Sequence, residues 1–145
     1  MLQFSDFINK SNIKDNLLVI YGAGTIGRLT LEALIEKNVK VNFFCDSDVK
    51  KKNTAIDNIK ILSPDELDKL DKNTNIFVAA HYFSSIVPLL QNKGFKNLFK
   101  STDLLESIDI EKIKLVEIKR QAKEYERTGT GFEGKVDDLT PLKLD

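Results

Sequence analysis

Apolar and polar positions follow two rhythms along this chain, and each change of rhythm marks an element. Leu17-Leu18-Val19-Ile20-Tyr21 is apolar on both faces, as expected of a central parallel strand covered by helices on either side. From Ile26 the apolar residues fall at 26, 29, 31, 34 and 35. This helical spacing predicts a helix to about Lys37, ended by Asn38. Val39 to Cys45 reads as a second strand stopping at Asp46, and Ser47 to Asn58 as a polar loop. Ile59-Lys60-Ile61-Leu62 is a short third strand. Ser63-Pro64-Asp65-Glu66 then opens a helix: Ser63 can cap it, Pro64 suits the first helical position and Glu66 completes a capping box. Ile76 to Ala80 is a fourth strand. Ser84 or Ser85 can cap the next helix, which runs to Lys93 and stops at Gly94, and Leu98-Phe99 marks a fifth strand.

Strands alternating with helices predict an α/β, Rossmann-like three-layer domain over residues 1–107. Its parallel sheet has about five strands in the order 3-2-1-4-5, with helices on both faces. A charged helix over 108–127 carries Ile110, Ile113, Val116 and Tyr125 near one face. It either packs on the domain edge or serves as a homodimer or interdomain helix. Thr128 to Gly134 has the composition of a flexible linker. Residues 128–145 therefore read as a flexible tail or as the start of a truncated following domain. An apolar alternation begins near Leu139 and breaks off at Asp145, after which a covalently linked catalytic domain is expected.

Composition narrows the choice of function. The 145 residues suit one domain. The 22 basic and 22 acidic side chains balance, which argues against a dedicated nucleic-acid binder. Cys45 and His81 are the sole cysteine and histidine, so neither a disulfide framework nor a conventional zinc site is expected, and no metal is assigned. The N-terminus lacks a basic segment followed by an apolar run, and no stretch is long enough to span a membrane. The expectation is a soluble, cytoplasmic protein.

The candidate chemistry centres on Gly22-Ala23-Gly24-Thr25-Ile26-Gly27, set between a predicted strand and a predicted helix. In that setting Gly22 allows the tight turn, Gly24 lets a pyrophosphate approach the backbone, and Gly27 lets the helix pack on the strand. The amides of Thr25 and Ile26 begin the helix and point at the phosphate. Asp46, 24 residues beyond Gly22, ends the second strand, where a carboxylate can accept from a ribose 2′-hydroxyl. It also repels a 2′-phosphate, favouring NAD over NADP. Lys50-Lys51-Lys52 can attract phosphate, although a solvated loop is the simpler account. His81 follows the fourth strand at the ligand-binding edge and is a candidate contact or base. Cys45 reads as a buried strand residue. The tyrosine with a lysine four residues on, used by short-chain dehydrogenases and sugar epimerases, is missing: Tyr21, Tyr82 and Tyr125 are followed at that spacing by Thr25, Ile86 and Gly129.

The segments Ile20 to Arg28, Phe43 to Asp48, Ile61 to Leu67 and Ile76 to Ala80 resemble a recurring bacterial module. It is similar to the N-terminal Rossmann-like domain of nucleotide-sugar dehydratases and epimerases of surface-polysaccharide pathways. It also resembles domains attached to FkbM-type methyltransferases and radical-SAM proteins of such loci. The likeness covers about Asn16 to Thr102 and implies nucleotide contacts at Gly22, Gly24, Gly27 and Asp46, with no catalytic residue carried over. It points to an accessory module binding NAD or a nucleotide-sugar, not catalytic alone. The alternatives are a scaffold or dimerisation domain without ligand, and a fragment of an S-adenosylmethionine-dependent methyltransferase.

Overall fold

The computed structural model describes residue 7 and residues 15–80, 83–106 and 108–128. In chain order these form β1 (Leu18–Tyr21), α1 (Thr25–Glu36), β2 (Phe43–Cys45), β3 (Ala55–Ile56), β4 (Ile59–Leu62), α2 (Pro64–Asp68), β5 (Asn75–Val78), α3 (Phe83–Asn92), β6 (Leu98–Lys100), α4 (Ser101–Leu105) and α5 (Ile110–Thr128).

The strands lie side by side in the order β3-β4-β2-β1-β5-β6. Neighbours from β4 to β6 pair parallel, with Ile20 of β1 between Phe44 of β2 and Phe77 of β5. β3 pairs antiparallel to β4. The sheet is thus mixed and six-stranded, which corrects the expected all-parallel sheet of about five strands: the five expected strands stand in the order 3-2-1-4-5, and an antiparallel strand, β3, is added at the edge beside the third. The added edge strand comes out of the stretch read as a polar loop. Asp57 and Asn58 have φ of +51° and +65°. Two consecutive left-handed residues make the tight hairpin turn whose twist matches that of paired strands.

Other boundaries shift for identifiable reasons. β2 begins at Phe43, not Val39, because the Leu18 N–H donates to the Asn42 side chain at 2.9 Å, so regular pairing starts one residue later. α2 starts as expected: Ser63 accepts from the Glu66 N–H, and Glu66 accepts from the Ser63 N–H at 3.0 Å. α3 begins at Phe83, so Ser84 and Ser85 lie inside its first turn instead of capping it. Gly94, at φ +98°, closes that helix, with the Phe95 N–H returning to the Leu90 carbonyl at 3.1 Å.

Alternating side chains of the buried strands serve two cores. On one face Leu18, Ile20, Phe44, Phe77 and Phe99 meet Leu29, Ala33 and Leu34 of α1, both leucines of α4, and Ile113 of α5. Phe77 and Phe99 stack at 4.9 Å, and Phe7 sets its edge against both, at 5.7 and 5.4 Å. On the other face Val19, Tyr21, Cys45, Ile76 and Val78 meet Leu67 of α2 and Leu90 of α3.

α5 docks differently from the expectation. Ile113 is buried, but Val116 is 38 % exposed, and the inward positions are polar instead. Glu117 is fully buried, taking Gln121 Nε2 at 3.1 Å and facing Arg28 Nη1 of α1 at 3.5 Å on the same oxygen. Arg120 pairs with buried Glu32 of α1 and with Asp57 of the β3–β4 turn. The helix therefore belongs to the α1 layer, held by charge as much as by apolar contact. The side chains of Ile110 and Tyr125 lie outside those described. No helix among the described residues is long and apolar enough to cross a membrane.

Candidate functional site

β1 delivers its last residue, Tyr21, to the C-terminal edge of the sheet, and the chain must turn there to enter α1 on one face. Gly22 makes the turn at φ +113°. Its N–H donates to the Cys45 carbonyl at 2.7 Å, extending the β1–β2 ladder by one bond. A methyl group on Gly22 would lie 2.4 Å from the Ala79 carbonyl oxygen, so the turn is pressed against the end of β5 as well. A methyl group on Gly27 would lie 1.9 Å from the Gly22 carbonyl oxygen. Gly27 is therefore what lets the first turn of α1 sit directly on the loop that starts it.

Gly24 is different. Nothing lies within 4 Å of where its side chain would be. It caps α1 in extended conformation with no side-chain hydrogen bond, and the first turn of the helix carries no acidic residue. The helix thus opens toward solvent with its leading amides supplied by backbone alone, the arrangement in which partial positive charge gathers. Thr25 is partly exposed there, while the Ile26 side chain is buried in the core and leaves only its amide for the site.

Asp46 arrives beside this turn because β2 ends one residue earlier. Oδ2 accepts the Ala23 N–H at 2.8 Å, and Oδ1 accepts the Asp48 N–H at 2.9 Å. Lys51 Nζ lies 3.6 Å from Oδ2. The acid therefore holds the glycine turn closed. The structure brings together Gly22, Gly24, Thr25, Ile26, Gly27 and Asp46 at one edge of β1 and β2. His81 lies outside the described residues. Burial, reinforced by Asp46, pushes the Tyr21 hydroxyl and the Cys45 thiol each up to about 12, so both stay protonated.

The Ala79 backbone is the member of this site that sequence reasoning missed, and Lys51 is singled out in the sequence only as part of the run Lys50-Lys51-Lys52, for which a solvated loop is the simpler account. The triple-lysine run marks the loop but not which lysine turns inward, and a backbone contact leaves no signature in side-chain identity. Among the described residues no group of three His, Cys, Asp or Glu side chains gathers as a metal site would. A cavity of about 350 Å³ lies at the opposite edge of the sheet, lined by Phe7, Asp15, Leu17, Lys37 and Asn42 among others, away from the glycine turn.

Residues 14–97 match a protein family described as C2185-like, N-terminal. Among solved structures the chain is similar to the crystal structure of UDP-D-quinovosamine 4-dehydrogenase from Vibrio fischeri. The two share 23 % identity and a TM-score of 0.48, over 66 % of this chain and 88 % of that one. No curated protein matches the chain.

Proposed function

This chain belongs to the C2185-like family, in its N-terminal domain, and we propose that the domain is a nucleotide-binding module, accessory to an enzyme of bacterial sugar or surface-polysaccharide synthesis and not catalytic alone. The observation that carries the reading is the open ground over Gly24 at an α1 terminus with no capping side chain. An anionic diphosphate fits there, because the free helix amides donate to its oxygens and the helix dipole favours its charge. Asp46 stands where the ribose of such a ligand would lie, which favours NAD or a nucleotide-sugar over a 2′-phosphorylated nucleotide. The sugar side of the proposal rests on the resemblance carried by Ile20 to Arg28, Phe43 to Asp48 and Ile61 to Leu67. A catalytic domain joined beyond Asp145 would supply the chemistry.

Calorimetry against NAD, NADH, UDP-glucose and S-adenosylmethionine tests this. We expect Gly24→Val to abolish binding while its circular dichroism and melting temperature stay near those of the parent. No heat from any of the four at millimolar concentration would remove the proposal. Methyl transfer by the chain alone would favour the methyltransferase reading instead.

One observation favours a second reading, that of a scaffold without ligand. Both oxygens of Asp46 are already engaged by backbone amides of the protein, so the acid has a structural duty that would preserve it after a ligand was lost. On that reading the outer surface of α5, with Leu115 55 % exposed beside Val116, is a homodimer face. Sedimentation of a monomer that is unchanged by Leu115→Glu would count against it.

A further inference from the structure

The run Lys50-Lys51-Lys52 has one member with a defined place. The segment after β2 has no crossover helix and folds back through its own short hydrogen bonds. Asp46 Oδ1 takes the Asp48 N–H, Asp48 Oδ1 takes the Lys50 N–H at 3.0 Å, and the Lys51 N–H returns to the Asp48 carbonyl at 3.0 Å. Thr54 then ties off the loop by donating both its N–H and its hydroxyl to the Lys51 carbonyl. The outcome is selective. Lys50 and Lys52 are exposed, whereas Lys51 is half-buried with its ammonium 3.6 Å from Asp46 Oδ2.

The edge of β2 therefore presents a carboxylate and an ammonium side by side, not a bare acid. We propose that Lys51 is a specificity-determining residue of the nucleotide site, selecting a ribose that carries both its 2′- and 3′-hydroxyls; this rests on the nucleotide-binding reading above. Each hydroxyl of a cis-diol donates one hydrogen bond and accepts others. Asp46 can only accept, and its two oxygens still have lone pairs after serving Ala23 and Asp48. Lys51 can only donate, and its three hydrogens exceed what Asp46 occupies. Together they match a neighbouring pair of hydroxyls in both senses, which neither does alone. A 2′-deoxyribose leaves one half of the pair without a partner. A 2′-phosphate is attracted by Lys51 and repelled by Asp46 at nearly the same distance, so it gains little from the lysine. The pair thus resolves the ambiguity of a basic run next to an acid: the charges cancel, and what remains is a preference for the uncharged diol.

The test is a calorimetric comparison of ADP and UDP with their 2′-deoxy analogues, on the full chain and on Lys51→Met, with Lys52→Met as the control. Lys51→Met also removes general attraction to phosphate, so the readout is the ratio of ribo to deoxy affinity, in which that effect divides out. The expected ratio is about tenfold for the parent and for Lys52→Met, the size of one hydrogen bond to a charged group, and clearly smaller in Lys51→Met, where Asp46 alone meets the diol. A ribo preference that persists undiminished in Lys51→Met overturns the role of the lysine and leaves nucleotide binding standing. So does equal affinity of the parent for both sugars. Absence of binding by all four nucleotides overturns the nucleotide reading and the inference together.

Discussion

A single methyl group separates the three glycines of the turn. Gly27→Ala drives that methyl into the Gly22 carbonyl, and the loop must shift to admit it. We expect a loss of about 1–3 kcal/mol, typical of overpacking, read by chemical denaturation. Gly24→Ala meets open space and should melt with the parent while losing ligand. Asp46→Ala removes the acceptor for the Ala23 and Asp48 amides. Its cost should be about 1.5–3 kcal/mol, as for hydrogen bonds to a charged group, and should be visible without any nucleotide present. A silent Asp46→Ala would mean that the acid serves only a ligand. At this scale the glycine spacing and Asp46 are legible in the sequence, because a strand-turn-helix unit fixes where its glycines and its following acid must fall. The partners of Asp46 are not legible. They depend on a loop that folds through side-chain-to-backbone bonds, and such bonds carry no periodicity.

α5 shows how an element can be read correctly and its contact face wrongly. A charged helix was legible, beginning within two residues of Ile110, but the apolar residues on it do not mark its inner face. Val116 faces outward, and Glu117 and Gln121 face inward, because the surface α1 offers is itself charged through Arg28 and Glu32. Burial holds the carboxyl of Glu117 above its ordinary value of 4.5, against the pull of Gln121, Arg28 and Arg120. Glu32 is raised for the same reason, with Arg120 opposing and Asp57 adding to the shift. A carboxyl that binds its proton more firmly when folded contributes stability that is fully present below 4.5. That stability is lost as pH rises through the higher folded value. Thermal melts taken upward from pH 4.5 should therefore fall less steeply for Glu117→Gln than for the parent, and identical slopes would contradict the assignment.

The molecule as a whole is organised by one sheet with a differently built cover on each face. Buried strands with apolar residues on both faces announced that layering, since only a sheet covered twice needs them. The β3–β4 hairpin stayed hidden because its strand is two residues long, too short for any alternation to register. Its signal was the Asp57-Asn58 pair between two isoleucines, residues that tolerate left-handed backbone. Phe7 packs against Phe77 of β5 and Phe99 of β6, so Phe77→Ala should cost about 3–5 kcal/mol and Phe7→Ala should lower the melting temperature as well. The glycine turn, finally, is held from three sides, by the carbonyl of Cys45, the carboxylate of Asp46 and the backbone at Ala79. A cradle assembled in advance has a kinetic signature. With no loop to close among the described residues, the observed association rate should climb in proportion to ligand concentration and show no plateau, and a curve that levels off would place a slow rearrangement where the described hydrogen bonds show none.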